Sequence, residues 1–286
     1  MSPSFGFEAI GTSWLVDSSS PLPAAQRAGL LRLAEDYDVL YSRFRADSGI
    51  SRLSTVGGSL PLPPHGEALG RLLRSLHDLT DGAVSPLVGE RLAEQGYDAG
   101  YSFVPTTIPS PARIWDDVLD WTAGTVTVRE PALLDVGAAG KGQLVDLMLE
   151  YLVAEGHDDV IVDASGDMRR SGPGSITVGL EHPFDPSMAI GTLDLGTGAL
   201  CASASNRRAW GDGLHHVIDA RTGRSVDTVV ATWVLAGDAM TADGLCTALF
   251  FSDPAVLSRS FHFDYVLMYS DGRARFSARL PGALFS

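Results

Sequence analysis

Asp243 and Thr247 are four residues apart in the sequence, so on a helix they lie on one face, about one turn from each other. A carboxylate and a hydroxyl placed in this way can both reach one hard cation, and Mg²⁺ prefers such oxygen ligands. The alternative is an ordinary helix start, at which Asp243 stabilises the helix dipole and Thr247 binds nothing.

A second candidate segment, residues 135–142, reads Asp-Val-Gly-Ala-Ala-Gly-Lys-Gly. Its glycines allow a ligand to approach the backbone, while the start of the following helix and Lys141 favour an anion such as a phosphate. It is not a Walker A loop, because Asp135 stands at the first glycine position and Gly142 follows the lysine in place of Ser or Thr. A tight turn with a surface lysine is the alternative.

His216 is the candidate general base, since histidine exchanges protons near neutral pH. The alternative is a strand histidine whose hydrogen bonds are satisfied. His215 points to the opposite face of a strand, so the two histidines should not share a role. Asp163, Ser165 and Asp167 form a further polar segment, either at the site or as turn residues that end a strand.

These segments, taken in order, resemble the FAD:protein FMN transferase family, the ApbE-type flavin transferases. The likeness begins at Ala9-Ile10-Gly11-Thr12, which is similar to the family's opening Met-Gly-Thr strand, and extends to about Phe251. It includes residues 42–53, 80–86 and 96–98. The specific part is a pair of motifs, His-x-Ile-Asp-x-Arg-Thr-Gly from His216 and Ala-Asp-Gly-Leu-x-Thr from Ala242.

The resemblance implies an enzyme that transfers FMN from FAD to a Thr or Ser hydroxyl of a target flavoprotein and releases AMP. The implied metal is Mg²⁺, held by the Asp243 carboxylate, the Thr247 hydroxyl and the backbone carbonyl of Ala138. His216 would deprotonate the acceptor hydroxyl. The implied contacts of the flavin nucleotide are Ile10, Phe44, Ala83, Val84, Ser85, Asp135, Lys141 and Ile218.

Several positions depart from the family pattern. Ser85 replaces a usual aspartate, and Ser165 replaces the first of two glycines. Ala220 replaces a proline, Ile10 replaces a methionine, and residues 202–204 replace a Thr-Ser-Gly turn. Two other functions therefore stay open: a Mg²⁺-dependent FAD pyrophosphatase, in which water replaces the hydroxyl, and a non-catalytic FAD-binding protein.

The composition restricts the class of protein. The chain has 286 residues, of which 45% are hydrophobic and 20% charged, and this suits a globular protein with an ample core. Its net charge of -14 argues against a nucleic-acid partner, and an anionic ligand would need a local cation. We expect free thiols at Cys201 and Cys246, no membrane span and a cytoplasmic location.

The elements that must position these residues follow from apolar periodicity. Helices are predicted at 24–41, 66–80, 144–154 and 239–251. Strands are predicted at 7–16, 115–129 with an internal turn, 132–136, 160–163, 175–180, 189–195, 200–203, 215–219 and 228–236, with a hairpin of 265–269 and 274–278. Residues 42–54 are expected to be turn-like, and 97–110 to be a surface loop. Short turns between many strands predict an α+β fold of mainly antiparallel sheets with flanking helices. We expect two merged lobes within a single domain of residues 1–286.

Overall fold

A computed structural model describes residues 3–106, 110–122, 124–206, 209–211 and 213–285. The helices are α1 Ala24–Tyr41, α2 Gly49–Val56, α3 His65–Leu79, α4 Gly89–Glu94, α5 Trp115–Val118, α6 Gly140–Ala154, α7 Ala239–Ala248 and α8 Pro254–Leu257. The strands are β1 Ser4–Ala9, β2 Thr12–Ser18, β3 Gly58–Pro61, β4 Leu119–Thr122, β5 Thr125–Val128, β6 Val160–Asp163, β7 Asp167–Ser171, β8 Ile176–His182, β9 Asp185–Leu195, β10 Gly198–Ala204, β11 Ala209–Trp210, β12 Leu214–His215, β13 Ile218–Asp219, β14 Arg224–Ser225, β15 Val229–Ala236, β16 Asp264–Tyr269, β17 Ala274–Phe276 and β18 Gly282–Leu284.

The predicted α+β class with mainly antiparallel sheets is confirmed. An eight-stranded sheet in the order β1-β2-β6-β7-β10-β15-β16-β17 pairs antiparallel throughout. Two three-stranded sheets, β18-β9-β8 and β3-β5-β4, accompany it. The predicted hairpin near the end of the chain is β16 with β17.

The two faces of the large sheet bury different partners, because successive strand residues point to opposite sides. On β10, Cys201 belongs to the largest core cluster and contacts α7, while α6 contacts the neighbouring strands β6 and β7. Its neighbour Leu200 packs on the other face with Leu180 and Leu193 of the β18-β9-β8 sheet. The sheet therefore lies between two helices on one face and a small sheet on the other.

Helices α6 and α7 approach each other closely because a glycine lies at their contact. A Cβ atom on Gly142 would lie 2.2 Å from the Ala239 carbonyl oxygen and 2.8 Å from the Asp243 Cβ. Asp146 of α6 also accepts hydrogen bonds from the Ala239 and Met240 N–H groups, both at 2.8 Å. These contacts place the start of α7, which carries Asp243, against the start of α6.

Four predicted elements are wrong in part. The predicted strand at 115–129 begins with helix α5, Trp115–Val118, and only then forms β4 and β5. The turn-like region 42–54 contains most of α2, where the Ser48 side chain accepts from the Ser51 N–H at 3.1 Å and caps the helix. Residues 132–136 are buried at alternate positions but form no strand, because the Asp135 N–H donates to Pro86 rather than to a strand. The predicted strand 215–219 is two short strands, β12 and β13, with His216 between them.

Helix α6 begins at Gly140, four residues earlier than predicted. The prediction missed this first turn because Gly140, Lys141 and Gly142 show no apolar periodicity. Lys141 therefore belongs to the first turn of a helix. Residues 97–106 form the expected irregular segment, and positions 107–109 of the predicted loop lie outside the described residues. Among the helices of the described ranges, none is long and apolar enough to cross a membrane.

Candidate active site

One cavity of about 1160 Å³ gathers most of the side chains that the sequence marked as candidates, although Asp163 and Asp167 are not among the residues that line it. Its volume is slightly above the usual range of about 300–1,000 Å³ for small-molecule sites, so it has room for a large ligand. The marked residues that line it are Ile10, Phe44, Ala83, Val84, Ser85, Asp135, Ala138, Lys141, His216, Ile218, Asp243 and Thr247. They come from segments that are far apart in the sequence, so the fold brings them together.

Three oxygen donors meet where α7 contacts the turn before α6. The Thr247 hydroxyl donates to the Ala138 carbonyl oxygen at 3.3 Å, and Asp243 lies one turn earlier on α7. Asp243 is only 6% exposed, and its Oδ2 accepts from the Gly142 N–H at 3.0 Å. One carboxylate, one hydroxyl and one carbonyl fit Mg²⁺, which proteins often hold with few carboxylates and with substrate phosphates. Across the part of the chain that the structure describes, no group of three or more His, Cys, Asp or Glu could hold a metal ion.

Lys141 lies beside this set and is bound by a second carboxylate. Its Nζ is 2.8 Å from Oδ2 of the fully buried Asp167, and it donates to the Ala164 carbonyl at 3.0 Å. Burial lowers the pKa of Lys141, but the carboxylates of Asp167 and Asp243 outweigh this and raise it above its ordinary value. The Lys141 ammonium and the carboxylates of Asp167 and Asp243 together carry a net negative charge. An anionic ligand such as a pyrophosphate would therefore need a further cation to bind here.

Asp135 is neutralised by an arginine. Its Oδ2 accepts from Nε of Arg43, and its Oδ1 accepts from the Gly137 N–H at 2.6 Å. Arg43 also donates to the Tyr97 carbonyl at 2.6 Å, and its guanidinium lies 4.1 Å from the centre of the Phe44 ring. Arg43 thus joins the turn that carries Ala138 to the aromatic residues Phe44 and Tyr97 at the cavity.

The two adjacent histidines have different environments. His216 is half-buried and lines the cavity. His215 is 7% exposed; its Nδ1 accepts from the Val217 N–H at 3.2 Å and its Nε2 donates to the Val226 carbonyl at 2.7 Å. Burial lowers the pKa of His215, against the opposing effect of its bond to Val226. His215 is therefore a neutral structural residue, and His216 is the histidine that faces the cavity.

The departures at Ser85 and Ile10 have local consequences. The Ser85 hydroxyl accepts from the Leu87 N–H at 3.2 Å and caps a 3₁₀ turn, Pro86–Val88. Ile10 and Gly11 have φ of 44° and 75° and form the two-residue turn between β1 and β2. Such a turn needs positive φ at both positions and usually carries Asn-Gly, so Ile10 is a costly choice.

Sequence reasoning gave no role to Arg43 or Tyr101, and left Asp167 undecided. Arg43 was visible only as part of a matching segment, since its partner Asp135 is 92 residues away. Tyr101 lies in a segment that the composition marked only as a surface loop. No signal within the sequence joins either residue to the cavity.

The comparisons with known proteins agree with the geometry. The model of the ApbE family matches residues 10–260. A FAD:protein FMN transferase of Vibrio cholerae is 30% identical over 237 residues, which are 76% of this chain and 70% of that protein. Two solved structures, an ApbE protein of Thermotoga maritima and the flavin transferase ApbE of Vibrio cholerae, have the same fold. The Thermotoga structure has a TM-score of 0.83 at 23% identity and covers 97% of both chains. The Vibrio structure has a TM-score of 0.76 at 22% identity and covers 97% of this chain and 98% of that one.

Proposed function

The chain belongs to the ApbE family, and from this we propose that it transfers FMN from FAD to a Thr or Ser hydroxyl of a target flavoprotein, in the presence of Mg²⁺. AMP is the second product. The observation that carries the proposal is one cavity that is lined by Asp243 and Thr247 of α7, by Lys141 and by His216.

In the proposed step, the acceptor oxygen attacks the phosphorus of the FMN half of FAD. A new phosphoester bond forms, the bond from that phosphorus to the bridging oxygen breaks, and the bridging oxygen leaves with its electron pair as part of AMP. The hydroxyl proton passes to His216, which makes a weak nucleophile effective. Lys141 stabilises the charge that grows on the pyrophosphate oxygens.

Mg²⁺ held by Asp243, Thr247 and the Ala138 carbonyl would neutralise the pyrophosphate as the leaving group departs. The donor chemistry of these residues supports this role, as does the negative charge that Asp167 and Asp243 leave around Lys141.

The test is to incubate the purified protein with FAD, Mg²⁺ and candidate flavoproteins of its native host, followed by mass spectrometry. We expect FMN attached covalently to a Thr or Ser, with one AMP released for each adduct. Release of AMP and free FMN without an adduct would identify a pyrophosphatase instead. Intact FAD after long incubation would identify a binding protein.

We further propose that the reaction takes place in the cytoplasm. The cysteines Cys201 and Cys246 are buried free thiols, which are compatible with a reducing compartment. Fractionation of the native host with an antibody against the protein tests this, and recovery from an oxidising compartment would contradict it.

A further inference from the structure

Two aromatic residues at the cavity have a backbone conformation that is rare for large side chains. Tyr101 and Phe103 have φ of 49° and 51°, in the left-handed region. Both line the cavity. Left-handed bulky residues are strained and persist only where the surroundings enforce them, and they cluster at ligand-binding sites.

The protein builds this conformation with a small hydrogen-bonded turn. The carboxylate of Asp98 accepts from the N–H groups of Gly100 and Ser102 at 2.8 and 3.1 Å, and from the Ser102 hydroxyl at 2.5 Å. The Phe103 N–H donates to the Gly96 carbonyl at 2.8 Å. The strained positions of Tyr101 and Phe103 are therefore fixed by the turn itself before any ligand binds.

The two rings extend an aromatic wall that consists of Phe44, Tyr101, Phe103 and Trp210. The Tyr101 ring stacks on Phe44 with centroids 5.2 Å apart and planes within 6°. The Phe103 ring lies 5.8 Å from that of Trp210. Tyr101 and Phe103 each remain 46% exposed, so the wall presents apolar ring surface toward the cavity.

Building on the proposed function, we propose that Tyr101 and Phe103 bind one planar ring of FAD by stacking, either its adenine or its isoalloxazine. The charged groups around Lys141 suit the pyrophosphate, so the two ring systems must occupy the apolar parts of the same cavity. A stacked ring would cover the exposed surface of Tyr101 and Phe103 and add to the existing Phe44–Tyr101 stack. The Arg43 guanidinium packs on the Phe44 ring of this wall and donates to the Tyr97 carbonyl, and so helps to hold Phe44 in place.

The decisive variant is Tyr101→Gly, because glycine adopts positive φ without strain. We expect the Kd for FAD, measured by flavin fluorescence without acceptor, to rise roughly tenfold or more, as stacking energies on aromatic side chains indicate. Tm should be unchanged or higher, because the backbone strain is relieved. Tyr101→Phe keeps the ring and should bind FAD as the wild type does. Phe276→Ala, at an aromatic residue that is 50% exposed on β17, is the matched control.

A lower Tm with an unchanged Kd in Tyr101→Gly would overturn the proposal, since this is the result for a residue that only packs the loop. Kd values for AMP and for FMN then assign the ring: weaker binding of one or both supports stacking, and no change in either overturns it. A wild-type protein that binds FAD but transfers no FMN would refute the proposed function and leave the stacking site intact. A wild type that does not bind FAD would refute both.

Discussion

The hydroxyl of Thr247 donates to the carbonyl oxygen of Ala138 at 3.3 Å and so joins α7 to the turn before α6, across 109 positions of sequence. One helical turn earlier, Asp243 accepts from the Gly142 N–H at 3.0 Å. These bonds hold three oxygen donors in place before a ligand binds. Donors that are already oriented stabilise a transition state without further rearrangement.

Asp243→Ala should abolish most of the transfer activity, because it removes the charged member of the proposed metal site. We expect kcat to fall by about a hundredfold or more. AMP release at saturating Mg²⁺ is the measurement. The matched control is Asp238→Ala on the same helix, where the side chain accepts from the Thr241 N–H at 2.8 Å as an N-cap. That variant should lose about 1 kcal/mol of unfolding free energy and keep its activity.

His216→Gln should slow transfer by roughly 10² to 10⁴, the usual contribution of a general base. The Kd for FAD should change little, because the proposed role of His216 concerns the acceptor proton. Single-turnover transfer and FAD titration separate the two quantities. Normal transfer in this variant would exclude His216 as the base.

Removing one negative charge near Lys141 should weaken the dependence on metal. In Asp167→Asn we expect FAD to bind more tightly in EDTA than it does to the wild type, because one repulsive carboxylate is gone. Two unit charges ~8 Å apart, such as a carboxylate and a ligand phosphate, repel each other by about 2 kcal/mol at an effective dielectric constant of ~20, which is more than tenfold in Kd. The measurement is the ratio of Kd in EDTA to Kd in Mg²⁺. An equal ratio in both proteins would show that Asp167 does not act through its charge.

Several elements could be predicted because local pattern decides them. Helix α1 has the predicted bounds, since Leu30, Ala34 and Tyr37 repeat at helical spacing and are buried. Strand β7 was not predicted, although it lies in the middle of the large sheet. Its Arg170 is 5% exposed and donates to the carbonyls of Gly172 and Gly174, so a polar residue occupies a position that periodicity reserves for apolar ones.

The site depended on more than local pattern. Spacing within one helix indicated Asp243 and Thr247, but only the resemblance added Ala138 and Phe44. The fold places all four on one cavity. The ion pair of Arg43 with Asp135 and the turn that orients Tyr101 remained hidden, because long-range contacts and backbone strain leave no periodic trace in a sequence.

Stability should fall as the pH decreases below about 6.5, in part because of His215. Burial lowers the pKa of His215 in the folded state, so between that pKa and the ordinary 6.5 the unfolded chain binds more protons. The unfolding free energy therefore rises with pH across this window, and the contribution of His215 is complete above pH 6.5. Urea denaturation from pH 5 to 8 should show a smaller slope in His215→Gln. His262→Gln, at an exposed histidine, should keep the wild-type slope.

Gly142→Ala should reduce both stability and activity. Its new Cβ would lie 2.2 Å from the backbone oxygen of Ala239, so α6 and α7 must separate. Overpacking of this kind costs about 1–3 kcal/mol. Because Asp243 lies on the displaced helix, we expect half-maximal AMP release to need a higher Mg²⁺ concentration, even at temperatures where the variant stays folded.

The control is Gly237→Ala, near the start of the same helix, where a Cβ would have open space. It should change the unfolding free energy by less than about 0.5 kcal/mol and leave the Mg²⁺ titration as in the wild type. Urea denaturation and the concentration of Mg²⁺ at half-maximal AMP release are measured on both variants. If Gly142→Ala loses stability but keeps the wild-type Mg²⁺ titration, the contact of α6 with α7 serves folding alone. The oxygen donors of α7 would then not depend on how closely the two helices pack.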